Sequence, residues 1–123
     1  MARVLIVDDN QAMVEALSIV VSARGHDALT ALSGEEALRL VASEMLDVVL
    51  LDLTMPGIDG FETLDRLRTM PEGKDLPVLI ITALDEEDLE DRVAKAGGNA
   101  LLRKPVDVNR LADQIEVHTA TTG

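Results

Sequence analysis

Cysteine, tryptophan and tyrosine are absent from the 123 residues, and phenylalanine occurs once. Without cysteine there is no disulfide framework, no thiolate zinc site and no cysteine nucleophile. The same absence suits a reducing cytoplasm. Basic residues are scarce as well: 11 Lys and Arg stand against 23 Asp and Glu, for a formal net charge of −12. A duplex-binding surface neutralises phosphates with Lys and Arg, so this chain is not expected to bind nucleic acid by itself. No apolar run approaches the roughly 20 residues that a membrane helix needs. The apolar stretch Val4–Val7 is too short for a secretory signal, and a cytoplasmic location is expected. No Gly-x-Gly-x-x-Gly or Walker-type loop occurs, so nucleotide binding has no support.

What is present is an alternation of short and long patterns. The short apolar runs are Val4–Val7, Ala28–Ala31, Val48–Leu51, Val78–Ile81 and Ala100–Leu102. Three of them are rich in Val and Ile without polar alternation, as strands of a parallel sheet buried on both faces are. Ala28–Ala31 is the weakest and reads as an edge strand. Between the runs lie helical periodicities. The first carries Met13, Leu17, Val20 and Val21 and stops near Gly25. The second opens on Ser33 with Glu36 three residues later, a capping box, and carries Ala37, Leu40, Val41 and Met45. The third carries Phe61, Leu64 and Leu67. The fourth carries Leu89, Val93 and Ala96 and stops at Gly97-Gly98. The fifth carries Val108, Leu111, Ala112 and Ile115. Strand then helix, five times over, predicts an α/β fold: a single doubly wound, five-stranded parallel sheet with five helices. One domain is expected over residues 1–118, followed by a polar C-terminal tail over 119–123.

In open parallel sheets, ligands bind beyond the carboxyl ends of the strands. The residues there are Asp8 and Asp9 after the first strand, Asp52 after the third, Thr82 after the fourth, and Lys104 after the fifth. One rim therefore gathers three carboxylates, a hydroxyl and an ammonium. Grouped carboxylates repel and need a cation. Oxygen ligands favour a hard ion, and Mg²⁺ binds through one or two carboxylates plus phosphate oxygens and water. Lys104 suits a phosphate as a point charge. A carboxylate in this setting can accept a phosphoryl group, and in-line transfer then requires mainly positioning and charge neutralisation.

The segments Val4-Leu5-Ile6-Val7-Asp8-Asp9-Asn10, Leu50 through Gly60 (with Asp52, Thr54, Met55, Pro56, Gly57 and Asp59), Ile80-Ile81-Thr82-Ala83 and Lys104-Pro105 together resemble response-regulator receiver domains, over almost the whole chain. The resemblance implies a flavodoxin-like sheet of strand order 2-1-3-4-5. It implies Asp52 as phosphoacceptor, and Asp8 and Asp9 as Mg²⁺ carboxylates, acting directly or through water. The backbone carbonyl of Thr54 would also reach the metal. Thr82 would be the hydroxyl contacting the phosphoryl group, and Lys104 the lysine pairing with a phosphate oxygen. Pro105 would fix the following turn, with a cis bond as an option. The phosphodonor would be a histidine kinase or a histidine phosphotransfer protein, and the module would act on an output domain or effector protein rather than turn over a separate substrate. Such domains usually carry an aromatic or His three residues before the lysine, at a switch position. Here it is Leu101.

Plainer readings compete residue by residue. Asp8-Asp9 could cap the following helix. Pro56, Gly57 and Gly60 are turn residues, expected to shape the loop beside Asp52. Met55 is read as packing, and His26 and His118 as surface residues away from the rim. Asp85 through Asp91 holds either a helix N-terminus favoured by the macrodipole or a negative partner face. A Mg²⁺-dependent phosphohydrolase would carry a second Asp two residues after the nucleophile, where this chain has Thr54. A flavin carrier would need aromatics and a hydroxyl-rich first loop in place of Asp8-Asp9-Asn10. A docking module that ignores phosphorylation would not need the full rim.

Overall fold

The computed structural model describes residues 1–119. The chain alternates β1 (Arg3–Val7), α1 (Gln11–Ala23), β2 (Asp27–Ala31), α2 (Gly34–Ser43), β3 (Val48–Leu51), α3 (Gly60–Arg68), β4 (Val78–Thr82), α4 (Leu89–Ala96), β5 (Ala100–Arg103) and α5 (Val108–Thr119). The strands form one sheet, ordered β2-β1-β3-β4-β5, and every pair is parallel. Of the expected tail, Thr119 is the last residue of α5, and residues 120–123 lie outside the described residues.

Successive strand residues point to opposite faces, so each strand feeds two cores. Leu5, Val7, Val49, Leu51 and Ile80 pack with Leu64, Leu67, Leu89 and Val93 from α3 and α4. Val4, Ile6, Leu50, Leu79 and Ile81 pack on the other face with Val14, Leu17, Leu111 and Ile115 from α1 and α5. All residues of β3 and β4 are buried, whereas β2 is mixed, as its place at the edge requires. Each buried Val, Leu or Ile contributes about 1.5–3 kcal/mol. Truncating a central one such as Leu79, which has no exposed surface, would cost about 2–5 kcal/mol because a cavity remains.

Helix starts follow local chemistry. Asn10, Ser33 and Asp59 each accept a hydrogen bond from the backbone N–H three residues on, at 3.1, 3.1 and 2.9 Å. These caps satisfy donors that the first helical turn leaves free. Two local expectations are corrected, and the acidic run before α4 is placed. In α1 the inward residues are Val14, Leu17 and Val21, and Val20 is only half-buried. Helix α2 ends at Ser43, so Met45 falls outside it and is 85% exposed. Helix α4 begins at Leu89, leaving Asp85–Asp88 in the preceding loop.

At the amino ends of the strands, Arg68 ties several segments together. Its guanidinium donates to the carbonyls of Gly73 and Leu76, each at 2.6 Å, to Gly97 O at 2.6 Å and to Asn99 Oδ1 at 3.1 Å. Asn99 Oδ1 also accepts from the Val78 amide at 2.8 Å, at the start of β4. The end of α3, the loop before β4 and the end of α4 are thereby joined through one side chain.

Candidate functional site

Strand register builds the site. Val7 pairs with both Leu51 and Ala31. The parallel ladder runs one step further, since Asp52 N donates to Val7 O at 3.0 Å and Asp8 N to Ala31 O at 3.2 Å. Asp8 and Asp52 thus leave adjacent strands side by side. On the other side, Thr82 pairs with Arg103, and Lys104 N donates to Thr82 O at 2.8 Å. That step brings Lys104 back over the same rim. The Lys104–Pro105 peptide is cis.

Asp8 and Asp52 are 3% and 5% exposed, and Asp9 is exposed. One carboxylate oxygen from each of the three lies within 4.8 Å of the others. Lys104 Nζ donates to Asp8 Oδ2 at 2.9 Å and stands 3.7 Å from Asp52 Oδ2. Asp8 Oδ1 accepts from the Asn10 amide at 3.0 Å, and Asp52 Oδ1 from the Thr54 amide at 3.4 Å. These groups line a cleft of roughly 430 Å³ with Ala83 and Leu84.

Burial pushes the Asp52 carboxyl above its ordinary value, and the neighbouring charges of Asp8 and Asp9 push the same way. Lys104 and the Thr54 amide oppose the rise without cancelling it. For Lys104, burial alone would favour the neutral amine. The hydrogen bond to Asp8 and the charges of Asp52 and Asp8 outweigh burial, so its pKa lies above the ordinary lysine value. The cluster is therefore short of positive charge. An all-oxygen donor set with surplus negative charge fits a hard divalent cation such as Mg²⁺.

Two glycines shape the loop after β3 and its junction with α3. Gly57 has φ +76°, a left-handed conformation that glycine adopts without strain. Gly60, the first residue of α3, leaves no room for a side chain: a Cβ there would collide with the Asp52 carbonyl and with Leu53 Cα. Met55 is buried in the core, as its packing role requires.

The rim thus holds Asp8, Asp9, Asp52, Thr54 and Lys104 together. Thr82 stands differently. It is fully buried, it is not among the residues lining the cleft, and its Oγ1 accepts from the Leu84 amide at 3.1 Å. Leu101 is half-buried on β5, beside Ile80 and packed against the core on the α4 side. The two histidines are half-buried rather than on the open surface. His26 Nδ1 accepts from the Ala2 amide at 3.0 Å, and His118 Nδ1 lies 2.9 Å from Gln114 O. Among cleft residues, sequence reasoning gave no role to Asn10 and Leu84. Asn10 carries a legible helix-cap signal, whereas nothing in the sequence marks Leu84.

Fold and rim define an open parallel α/β module with an acidic, lysine-bearing centre at its carboxyl edge. The family model for the response regulator receiver domain matches residues 4–116, and the chain belongs to that family. It is a signalling module of two-component systems, a class whose members typically bind Mg²⁺ at an acidic pocket such as the Asp8, Asp9 and Asp52 cluster. The chain is similar to the response regulator PleD of Caulobacter vibrioides, at 38% identity over 106 residues, covering 86% of this chain and 23% of PleD. It is 36% identical over 115 residues to protein PilH of Pseudomonas aeruginosa, covering 94% of this chain and 95% of PilH. A crystal structure of a putative response regulator from Chloroflexus aurantiacus superposes with a TM-score of 0.91 at 33% identity, covering 98% of each chain. No described helix is long and apolar enough to cross a membrane.

Proposed function

We propose that Asp52 accepts a phosphoryl group from a phosphohistidine of a histidine kinase or histidine phosphotransfer protein, with Mg²⁺ held by Asp8, Asp9, Asp52 and the Thr54 carbonyl. The observation that carries this reading is the meeting of three carboxylates within 4.8 Å beside one lysine ammonium. Mg²⁺, when bound, supplies neutralisation of phosphoryl oxygens. The chain's own residues do the rest. An Asp52 oxygen forms the O–P bond as the donor's N–P bond breaks, and the released imidazole keeps the electron pair and takes a proton from water. Asp52 must be ionised to attack, and Lys104 lowers its pKa toward that state. Lys104 then has a phosphate oxygen to pair with. Thr82 contributes its hydroxyl by leaving Leu84.

The module is thereby a participant in its own phosphorylation and dephosphorylation. Its phosphorylated form would act on an output domain or effector protein, in the cytoplasm. The receiver unit is taken as residues 1–118. The test is intact-mass measurement after treatment with acetyl phosphate and Mg²⁺. One phosphoryl group is expected on the parent and none on Asp52→Asn. Equal labelling of the two would refute the assignment.

A further inference from the structure

The amino ends of the strands carry a groove that the phosphoacceptor site does not use. It encloses roughly 370 Å³ between the Pro71–Leu76 segment ahead of β4, Leu46 and Asp47 ahead of β3, and the last described turn of α5. That volume lies within the range of ligand pockets, about 300–1,000 Å³. Asp47 and Asp52 bracket β3, so the groove is about 17 Å of strand away from the acidic rim. Its deeper surface is apolar: Leu76 is buried, and Leu46 and Pro77 are half-buried. Asp47, Glu72 and Asp75 stand exposed around it, and neither lysine nor arginine lines it.

The walls are held in place by the fold itself. Arg68 donates to Gly73 O and Leu76 O, and Pro71 and Pro77 restrict the backbone on either side of that wall. Asp47 exchanges two hydrogen bonds with Arg3: its N–H donates to Arg3 O at 2.9 Å, and its Oδ2 accepts from Arg3 N at 2.7 Å. His118 Nδ1 lies 2.9 Å from Gln114 O. A carbonyl partner makes Nδ1 the donor and leaves Nε2 free to accept. Such preorganisation favours binding.

The three carboxylates are not neutralised by the chain's own cations. None of them forms an ion pair among the described residues. Arg68 feels the charge of Asp75, but its hydrogen bonds go to carbonyls. Lys74 is exposed and does not line the groove. Nor do the acids converge on one point. Among the described residues, the one grouping of metal-ligating side chains within 4.8 Å is Asp8, Asp9 and Asp52. Acids dispersed around an apolar hollow suit separate positive charges along a chain better than a single metal ion. Nucleic acid and anionic lipid headgroups would be repelled. A second copy fits poorly, because a symmetric pair would set one acidic groove against the other. The chain's one adjacent basic pair, Arg103-Lys104, is engaged by Leu84 O and Asp8.

We infer that this groove docks a basic segment of a partner protein, with an apolar side chain seated on Leu46, Leu76 and Pro77 and flanking Lys or Arg residues paired with Asp47, Glu72 and Asp75. The groove and Asp52 lie at opposite ends of the sheet, so the inference stands or falls independently of the phosphoacceptor reading.

The probe is a capped peptide with one leucine between two Lys-Arg pairs, titrated to millimolar concentration into ¹⁵N-labelled protein at low salt with Mg²⁺ present. Amide shifts should centre on Leu46, Asp47, residues 72–76 and residues 118–119. The triple variant Asp47→Asn, Glu72→Gln, Asp75→Asn keeps the side-chain shapes and should bind at least about fivefold more weakly, since exposed ion pairs are individually weak but three are removed. Raising the salt to about 0.3 M should weaken binding to the parent. A peptide with serine in place of leucine should also bind several-fold more weakly, because the floor is apolar. Shifts that centre on residues 8–10 or 85–91, or that spread over every acidic face, would overturn the inference as general attraction to a chain of net charge −12. Silent groove amides, or equal affinity in the parent and the triple variant, would overturn it too. Groove amides that move with protein concentration alone would assign the face to a second copy, and groove amides broadened by substoichiometric Mn²⁺ alone would assign it to a metal. Either result overturns the docking of a basic segment.

Discussion

Lys104 sits closer to Asp8 than to Asp52, at 2.9 Å against 3.7 Å. Its first task without metal is thus to neutralise the more deeply buried carboxylate of the pair. Lys104→Met should remove that charge while keeping the aliphatic volume. Breaking a buried ion pair from one side costs about 3–5 kcal/mol. Lys104 is 20% exposed at its side chain, so the lower end, about 3 kcal/mol, is expected in chelator. Mg²⁺ should restore part of the loss, because it binds the folded carboxylates. Denaturant titrations with and without Mg²⁺ measure both effects. An equal loss in the two conditions would show that Lys104 and the cation do not share one charge deficit.

The raised pKa of Asp52 has a defined consequence for stability. A carboxyl whose folded pKa lies above its ordinary value of 3.8 stabilises the fold fully only below that value. The contribution is lost as pH rises through the folded pKa. In chelator, Asp52→Asn should therefore melt higher than the parent at neutral pH, where the parent's carboxylate is ionised against its buried, acidic surroundings. The gap should shrink on acidification toward pH 4. Saturating Mg²⁺ should narrow or reverse the gap at neutral pH, since ligand at 100 times its Kd adds about 2.7 kcal/mol to the parent. Melting curves across pH check the sign. A parent more stable than Asp52→Asn at neutral pH in chelator would contradict it.

Much of this arrangement was legible because strand ends are legible. Asp8, Asp52 and Lys104 each follow an apolar run that the sequence marks clearly, and parallel register then brings strand ends together. Thr82 was legible as a rim residue by position, but position does not fix a rotamer. The Leu84 amide holds its hydroxyl in the described state. The apolar period Leu89, Val93 and Ala96 marks α4 itself, and of the acidic run before it Asp85–Asp88 precede the helix while Glu90 and Asp91 fill its first turn. Met45 is apolar and falls on the helical period, yet α2 ends at Ser43 and the backbone of the next residue, Glu44, turns extended. Arg68 gave no signal at all, because its partners are backbone carbonyls on loops distant in sequence.

Arg68 makes a separable prediction. Burial lowers its pKa, and Asp75 partly opposes this, but its hydrogen bonds to three carbonyls are structural rather than chemical. Arg68→Ala leaves Gly73 O, Leu76 O and Gly97 O without this donor. Hydrogen bonds to a charged group contribute about 1.5–3 kcal/mol each at most and are not additive. A total loss of about 2–4 kcal/mol is expected, with phosphoryl uptake at Asp52 retained below the melting transition. Mass labelling at low temperature beside a denaturation curve separates the two. Loss of labelling in a folded variant would mean that the clamp reaches the site.

Leu101 marks where this chain departs from the pattern it otherwise follows. It pairs with Ile80 on β4, two residues before Thr82, and packs against the core facing α4. It also borders an open cleft of about 290 Å³ beside Glu90, Val93 and Arg110. An aromatic ring there could turn into space vacated by Thr82 and change that cleft. Leucine is smaller and has no polar tip, so burial suits it in either state. Movement of Thr82 should then reach β5 only weakly through this side chain. A ligand shifts an equilibrium only by its differential affinity for the two states, so a small coupling gives a small response. With beryllofluoride and Mg²⁺, amide shifts should be large near Asp52, Thr82 and Leu84 and small along residues 100–103. Leu101→Tyr should enlarge the changes on β5. Equal responses on β5 in the parent and Leu101→Tyr would show that transmission across this sheet edge runs through the backbone, independent of the side chain at position 101.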